Sequence, residues 1–255
     1  MRVAVAGGTG AVGRHVVEVL AGRGHEPVVL ARSRGVDVTT GSGVADALAG
    51  AEALVDVVSV STLAGRTSER FFGASTTHLL TAAARAGVPH VVALSIVGID
   101  RSPGGYYAGK AVQEQLVEAG PVPWTIMRAT QFHEFAAQVA VRGRVGPVVG
   151  VPDMRTQPVA ARAVAERLAD LVEAGPSGRV PDLAGPRVDR LGDLVRAYLR
   201  ATGSRTPVLP LALPGRTWSG RRAGVLLPDA DAVLARQPFD AWLAAEVSGS
   251  SGPAS

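Results

Sequence analysis

Three side chains near the middle of the chain have the types and spacing for proton chemistry. Ser95 closes an apolar run, and Tyr106 and Lys110 follow it at the start of a helical pattern. Residues four apart share a helix face, so the phenol and the ammonium are expected on one side. An ammonium beside a phenol stabilises the phenolate and lowers its pKa. That makes the tyrosine a proton donor and acceptor near neutral pH. The Ser95 hydroxyl would hydrogen-bond a substrate carbonyl close to both. Tyr107 is the competing phenol, although it shares the Lys110 face less well. The expected catalytic set is Lys110, Tyr106 and Ser95.

The elements that must position these groups can be read from periodicity. Apolar runs at 3–6, 27–31, 53–58, 90–94 and 124–127 alternate with helical patterns at 11–23, 44–49, 68–86 and 108–118. Such alternation predicts βαβ units, and runs so continuously apolar predict strands covered on both faces. Gly22, Gly87 and Gly120 stand just past helix ends, where a left-handed residue is common. From residue 143 glycines and prolines interrupt the pattern. Helical stretches return at 160–173, 190–201 and 239–246, with strand-like pieces at 179–183 and 207–211. The predicted fold class is α/β, a doubly wound parallel sheet with a small C-terminal lobe. Residues 1–142 read as its core and 143–247 as a smaller lobe packed on it, together one domain, with a flexible tail at 248–255.

The first strand runs directly into Gly7-Gly8-Thr9-Gly10-Ala11-Val12-Gly13. In a strand–turn–helix context, Gly7 permits the tight turn, Gly10 a close backbone approach to a pyrophosphate, and Gly13 a close helix–strand contact. The helix N-terminus then faces the anion. These residues predict a bound dinucleotide. Arg32 and Arg34 follow the second strand, where an acidic residue would serve a bare ribose. A guanidinium matches a 2′-phosphate instead, which makes NADP(H) the expected cofactor by a factor of about ten to a hundred. Arg34 reads equally well as a solvated charge. Asp37, beside Val38, could accept from an adenine amino group or cap a turn. Val58, Ser59, Val60 and Thr130 end their runs at the carboxyl edge of the sheet, where ligands of such sheets bind. With Ser95 and Lys110 they complete the expected cofactor site. Asp56, inside an apolar strand, reads as structural.

On the substrate side stand Tyr107, Gln131, Phe132, His133 and Phe135. Aromatic walls suit a flat, apolar ligand, or they are ordinary core. His133 could relay protons or cap a helix start. The chain has 26 Lys and Arg against 22 Asp and Glu, a formal charge of +4, with 47% hydrophobic residues. Its arginines are scattered, which disfavours nucleic acid as a partner. Cysteine is absent, excluding disulfides and thiolate chemistry, and no His, Asp and Glu spacing suggests a metal. No run reaches the ~18 apolar residues of a membrane span. With no leader pattern, a cytoplasmic protein acting on a small molecule is expected; monomer and homodimer both stay open.

Taken together, the Gly7/Gly10/Gly13 loop, Ser95, Tyr106-x-x-x-Lys110 and Val122-Pro123-Trp124-Thr125-Ile126-Met127-Arg128-Ala129-Thr130-Gln131-Phe132 resemble the short-chain dehydrogenase/reductase superfamily. Within it, the glycine spacing and these residues resemble the atypical, NmrA-like branch, which also includes isoflavone reductase-like enzymes. The resemblance covers roughly residues 1–175. It implies a Rossmann-type sheet, NAD(P) binding and an oxidoreductase that transfers hydride to a small carbonyl, enone or quinone-like substrate. From the isoflavone reductase-like members it implies that Lys110 is the catalytic or substrate-polarising group. The branch also contains proteins that bind the dinucleotide as a redox signal. An NADP(H) sensor without turnover is therefore the alternative, and a non-redox isomerase or cyclase that retains the cofactor is another.

Overall fold

The computed structural model describes residues 1–250. In chain order its elements are β1 (Arg2–Ala6), α1 (Gly13–Gly22), β2 (Glu26–Leu30), α2 (Val44–Leu48), β3 (Ala53–Asp56), α3 (Gly65–Ala86), β4 (Val91–Ile96), α4 (Tyr106–Ala119) and β5 (Trp124–Ala129). There follow α5 (Phe135–Arg142), β6 (Arg144–Val145), β7 (Val148–Pro152), β8 (Arg155–Thr156), α6 (Ala161–Ala174), β9 (Gly178–Arg179), β10 (Leu183–Ala184) and β11 (Asp189–Arg190). The chain closes with α7 (Leu191–Ala201), β12 (Val208–Leu211), α8 (Arg216–Ala223), β13 (Val233–Leu234) and α9 (Phe239–Ser250). The fold is α/β and Rossmann-type, with a parallel central sheet.

Two compact units can be distinguished. The first comprises Met1–Arg128 and Arg162–Pro181. Its strands run in the order β2-β1-β3-β4-β5, with β9 beside β5. Val3, Ala4, Val5 and Ala6 of β1 have no exposed surface, and β3 and most of β4 are equally buried. This is the reason the strands read as unbroken apolar runs: both faces of each are covered. The order reverses between β1 and β3. At such a switch point the loops leaving neighbouring strands part in opposite directions and open a crevice at the carboxyl ends. The loops that begin there are the glycine turn after β1 and Val57–Ser59 after β3.

Helices α3 and α4 pack closely because Gly109 has no side chain: a Cβ there would lie 2.3 Å from Ser68 Oγ. Helix α1 is tied to α6 by Arg23, which reaches Asp170 at 2.9 Å and Glu173 at 3.1 Å.

The second unit comprises Ala129–Ala161 and Asp182 onward. In it β6 and β7 form an antiparallel hairpin, β12 adds to β7 in parallel, and β10 pairs with β13. Helix α7 buries Leu191, Leu194, Val195 and Leu199.

Several expectations need correction. Of the three glycines expected in left-handed conformation only Gly87 is (φ 67°). Helix α1 runs through Gly22 and the chain turns at Gly24 (φ 80°), while Gly120 is extended (φ −73°). The segment 143–247 does not hold together by contact: Arg162–Pro181 joins the first unit, and Ala129–Arg142 the second. The β6–β7 hairpin and α8 lie where the sequence showed only interruption, and α5 just before it, where no helical span was assigned. The hairpin is short and turns at Gly146 (φ 58°), so the turn residues mask the strands on either side. Helix α8 buries no residue and so carries no periodicity to detect. Of the tail expected at 248–255, residues 248–250 belong to α9 and 251–255 lie outside the described residues.

Candidate functional site

The glycine turn is built from backbone alone. Gly7 has φ 82°, and a Cβ on it would lie 2.8 Å from Val57 O. A Cβ on Gly13 would lie 2.0 Å from Gly7 O, so α1 can start against the turn only if residue 13 is glycine. Gly10 differs. It is exposed, and a Cβ there would meet only Gly7 O, at 3.2 Å. The space over Gly10 is thus kept clear of protein. Helix α1 has no side-chain cap and no acidic residue in its first turn. Arg14 N–H already donates to the Gly10 carbonyl at 3.1 Å and Val16 N–H to the Val12 carbonyl at 3.0 Å, and a helix start with no side-chain cap suits a phosphate. Thr9 and Ala11 are exposed on the turn, whereas Val12 is buried beneath it.

Arg32 and Arg34 fall in a short 3-10 turn directly after β2, both exposed. Asp37 is occupied locally. Its Oδ1 accepts the Thr39 N–H at 2.8 Å and the Thr39 hydroxyl at 2.6 Å, and these bonds hold its carboxyl below the usual range. Between the two roles open to Asp37, the structure shows the turn cap. Val38 supplies its carbonyl to His78.

The expected trio of Ser95, Tyr106 and Lys110 is not assembled. Tyr106 Oη lies 2.9 Å from Ser59 Oγ, and its ring stacks edge-on against Phe72. Ser68 Oγ donates to the Tyr106 carbonyl at 2.8 Å, which fixes the first turn of α4 on α3. Burial raises the Tyr106 phenol above its ordinary value, offset only in part by Ser59. The lowering expected from a neighbouring ammonium does not occur.

Lys110 points inward instead. It is 3% exposed, donates to the Leu94 carbonyl and to Gln113 Oε1, and sits 4.8 Å from the centre of the Phe72 ring. Burial lowers its pKa to about 8, against the pull of Asp56 and Glu114.

Ser95 belongs to a third group. It is buried beside Glu114, and its Oγ has no hydrogen-bond partner among the described residues. Burial alone would raise Glu114. Arg128 overrides it through a two-pronged contact at 2.9 and 2.7 Å, and Arg179 adds another at 2.8 Å.

Val58 is buried, Ser59 exposed and Val60 intermediate at the end of the β3 strand path. Tyr107 is half-buried on α4. In the second unit Thr130 Oγ1 donates to the Gln157 carbonyl at 2.6 Å, and Gln131 Oε1 accepts from Thr156 at 2.6 Å. His133 is neither a surface group nor a helix cap. It is 1% exposed, packs against Phe239 and Trp242, and has Nε2 3.2 Å from the Gln237 carbonyl. Burial lowers its pKa and favours the neutral ring. Phe132 and Phe135 are half-buried. Among the described residues no His, Asp and Glu side chains are grouped to hold a metal ion, and no helix is long and apolar enough to cross a membrane.

Sequence reasoning passed over Gln113, Glu114 and Asp56 as members of one buried polar layer. The signal was present. Lys110, Gln113, Glu114 and Val117 are spaced as a helix face, and all are buried. Three polar residues on a core-facing stripe need partners.

Comparison with known proteins bears on the family and the fold. A family model described as NAD(P)H-binding matches residues 7–174. Among solved structures, the chain is similar to the NADPH-dependent quinone oxidoreductase QOR2 of Escherichia coli in complex with NADPH (20% identity, 97% of this chain and 99% of that one, TM-score 0.73). It is also similar to a short-chain dehydrogenase/reductase superfamily protein from Agrobacterium tumefaciens with bound NAD (18%, 98% and 97%, TM-score 0.70). A third likeness is to UDP-N-acetylglucosamine 4-epimerase from Bacillus cereus (16%, 100% and 98%, TM-score 0.71). None of the curated proteins matches.

Proposed function

The chain belongs to the NAD(P)H-binding family, and from that premise we propose that it is an NADPH-dependent oxidoreductase of the NmrA-like type, reducing a small carbonyl, enone or quinone-like compound. The observation that carries the reading is the Tyr106–Ser59 hydroxyl pair, 2.9 Å apart. Ser59 directly follows Val58, and Val57 and Val58 are the residues against which the glycine turn packs. A proton donor thus stands beside the place where a dinucleotide fits.

The residues present suit that cofactor. The clear space over Gly10 and the uncapped start of α1 would take the pyrophosphate, and Arg32 the 2′-phosphate. When bound, the cofactor supplies hydride. Tyr106 supplies the proton: its raised pKa keeps the phenol protonated at neutral pH, and an oxygen that gains negative charge as it is reduced becomes basic enough to take that proton. Ser59 orients the phenol and can share its bond with the substrate oxygen. Lys110 is turned away from this pair and needs another role.

NADPH oxidation measured against a panel of quinones, enones and ketones, with cofactor binding followed in parallel, tests the proposal. Turnover with any class supports it. Tight binding with no turnover across the panel overturns it in favour of a dinucleotide sensor.

Cofactor choice gives a separate prediction. Arg32 is exposed directly after β2. NADPH is expected to bind about ten- to a hundredfold more tightly than NADH, and Arg32→Ala to erase the difference. Fluorescence titration with both cofactors decides, and equal affinities in the unmutated protein would refute the assignment.

A further inference from the structure

Lys110 is the only lysine among the 26 basic residues of the chain; all the others are arginine. It heads a buried chain of bonds. Its ammonium donates to Gln113 Oε1, Gln113 Nε2 donates to Asp56 Oδ2 at 2.7 Å, and Asp56 Oδ1 accepts the Val58 N–H at 3.1 Å. Lys110, Gln113 and Asp56 are 3%, 1% and 2% exposed. The chain of bonds ends on the strand segment under the glycine turn, where a Cβ on Gly7 would lie 2.8 Å from Val57 O and 3.0 Å from Val58 Cα.

We propose that Lys110, Gln113 and Asp56 form a positioning relay, in which the ammonium is the counter-charge that keeps the Asp56 carboxylate on the Val58 N–H. Lys110 then serves the dinucleotide through the strand end, without touching substrate. The inference rests on the reading of the glycine turn as the cofactor site.

Each member has a chemical reason. A buried carboxylate without a counter-charge is costly, and so is a buried ammonium. Gln113 is suited to join them because an amide accepts at oxygen and donates at nitrogen. The other groups around the ammonium are engaged elsewhere. Glu114, on α4, is held by Arg128 and Arg179, and Tyr106, also on α4, is paired with Ser59. From α3 the ammonium meets the Phe72 ring, and from β4 the Leu94 carbonyl. Asp56, on β3, is the carboxylate the relay reaches: burial pushes its pKa up, and Lys110, Gln113 and the Val58 N–H oppose that rise. A guanidinium would hold its charge at any accessible pH, whereas a buried ammonium can lose its proton.

The sign of the pH dependence follows. Burial brings Lys110 down to about 8, so the counter-charge is present at neutral pH and is lost as pH rises through that value. Cofactor affinity should fall over the same range.

A single lysine makes the test specific. In protein carrying lysine labelled with nitrogen-15 at Nζ, one side-chain resonance is expected, with a midpoint of about 8. The Val58 amide resonance should titrate with the same midpoint. A Val58 amide with no inflection there overturns the relay, with no mutation needed. The second arm measures NADPH affinity in variants. Lys110→Met should weaken binding about tenfold or more, and the charge-free pair Lys110→Met with Asp56→Asn should recover most of the loss. A folded double variant as weak as Lys110→Met means that the lysine acts on the cofactor directly, and overturns the proposal. If the unmutated protein binds no dinucleotide, the functional reading fails, yet the joint titration still decides the relay.

Discussion

Tyr106→Phe is expected to lower kcat for NADPH-dependent reduction by about 10²–10⁴, the range for loss of a positioned proton donor. The phenylalanine keeps the ring that stacks on Phe72, so the fold should be retained. NADPH affinity should change little, because the removed atom faces Ser59 and not the glycine turn. Ser59→Ala leaves the phenol in place but unoriented, and should cost a smaller factor. The pH profile separates the roles. Reduction should decline as the phenol ionises at high pH in the unmutated enzyme, and that limb should vanish in Tyr106→Phe. Unaltered turnover in Tyr106→Phe, with substrate reduction otherwise confirmed, would remove the tyrosine from the chemistry.

The second large effect distinguishes two glycines of one motif. Gly13→Ala drives a Cβ to 2.0 Å from the Gly7 carbonyl oxygen, where both partners are backbone and neither can yield without displacing the turn. We expect a loss of about 3 kcal/mol of stability, at the upper end of overpacking costs. Gly10→Val should do the opposite. Its side chain projects into the space kept clear of protein, meeting only Gly7 O at 3.2 Å. Melting without ligand should stay near that of the unmutated protein while dinucleotide binding is abolished. Thermal denaturation and cofactor titration of the two variants give a crossed pattern. Normal affinity in Gly10→Val would place the phosphate elsewhere.

The relay and the Tyr106–Ser59 pair also divide the labour of Tyr106-x-x-x-Lys110 in an unexpected way. Helical spacing puts the two residues on one side of α4, yet the side chains leave that side in different directions. The phenol reaches the end of the β3 path. The longer lysine turns under it toward Gln113 and the Leu94 carbonyl. Each therefore answers to a different element, and their pKa values move for the same reason, burial, in opposite senses.

What local chemistry settles in this chain is the scaffold. Strands buried on both faces must be apolar throughout, as β1, β3 and β4 are. A turn that presses backbone on backbone must be glycine, as Gly7 and Gly13 are. These requirements act over a few consecutive residues, so the α/β alternation, the glycine turn and the arginines after β2 could be read directly. The partners of Tyr106, Gln113 and His133 could not. Ser59 is 47 residues from Tyr106, Asp56 is 57 from Gln113 and Gln237 is 104 from His133. Such pairings arise only when strand order and helix packing bring distant segments together. Burial then decides the rest, because a side chain's charge and direction depend on which polar groups the fold has closed in beside it.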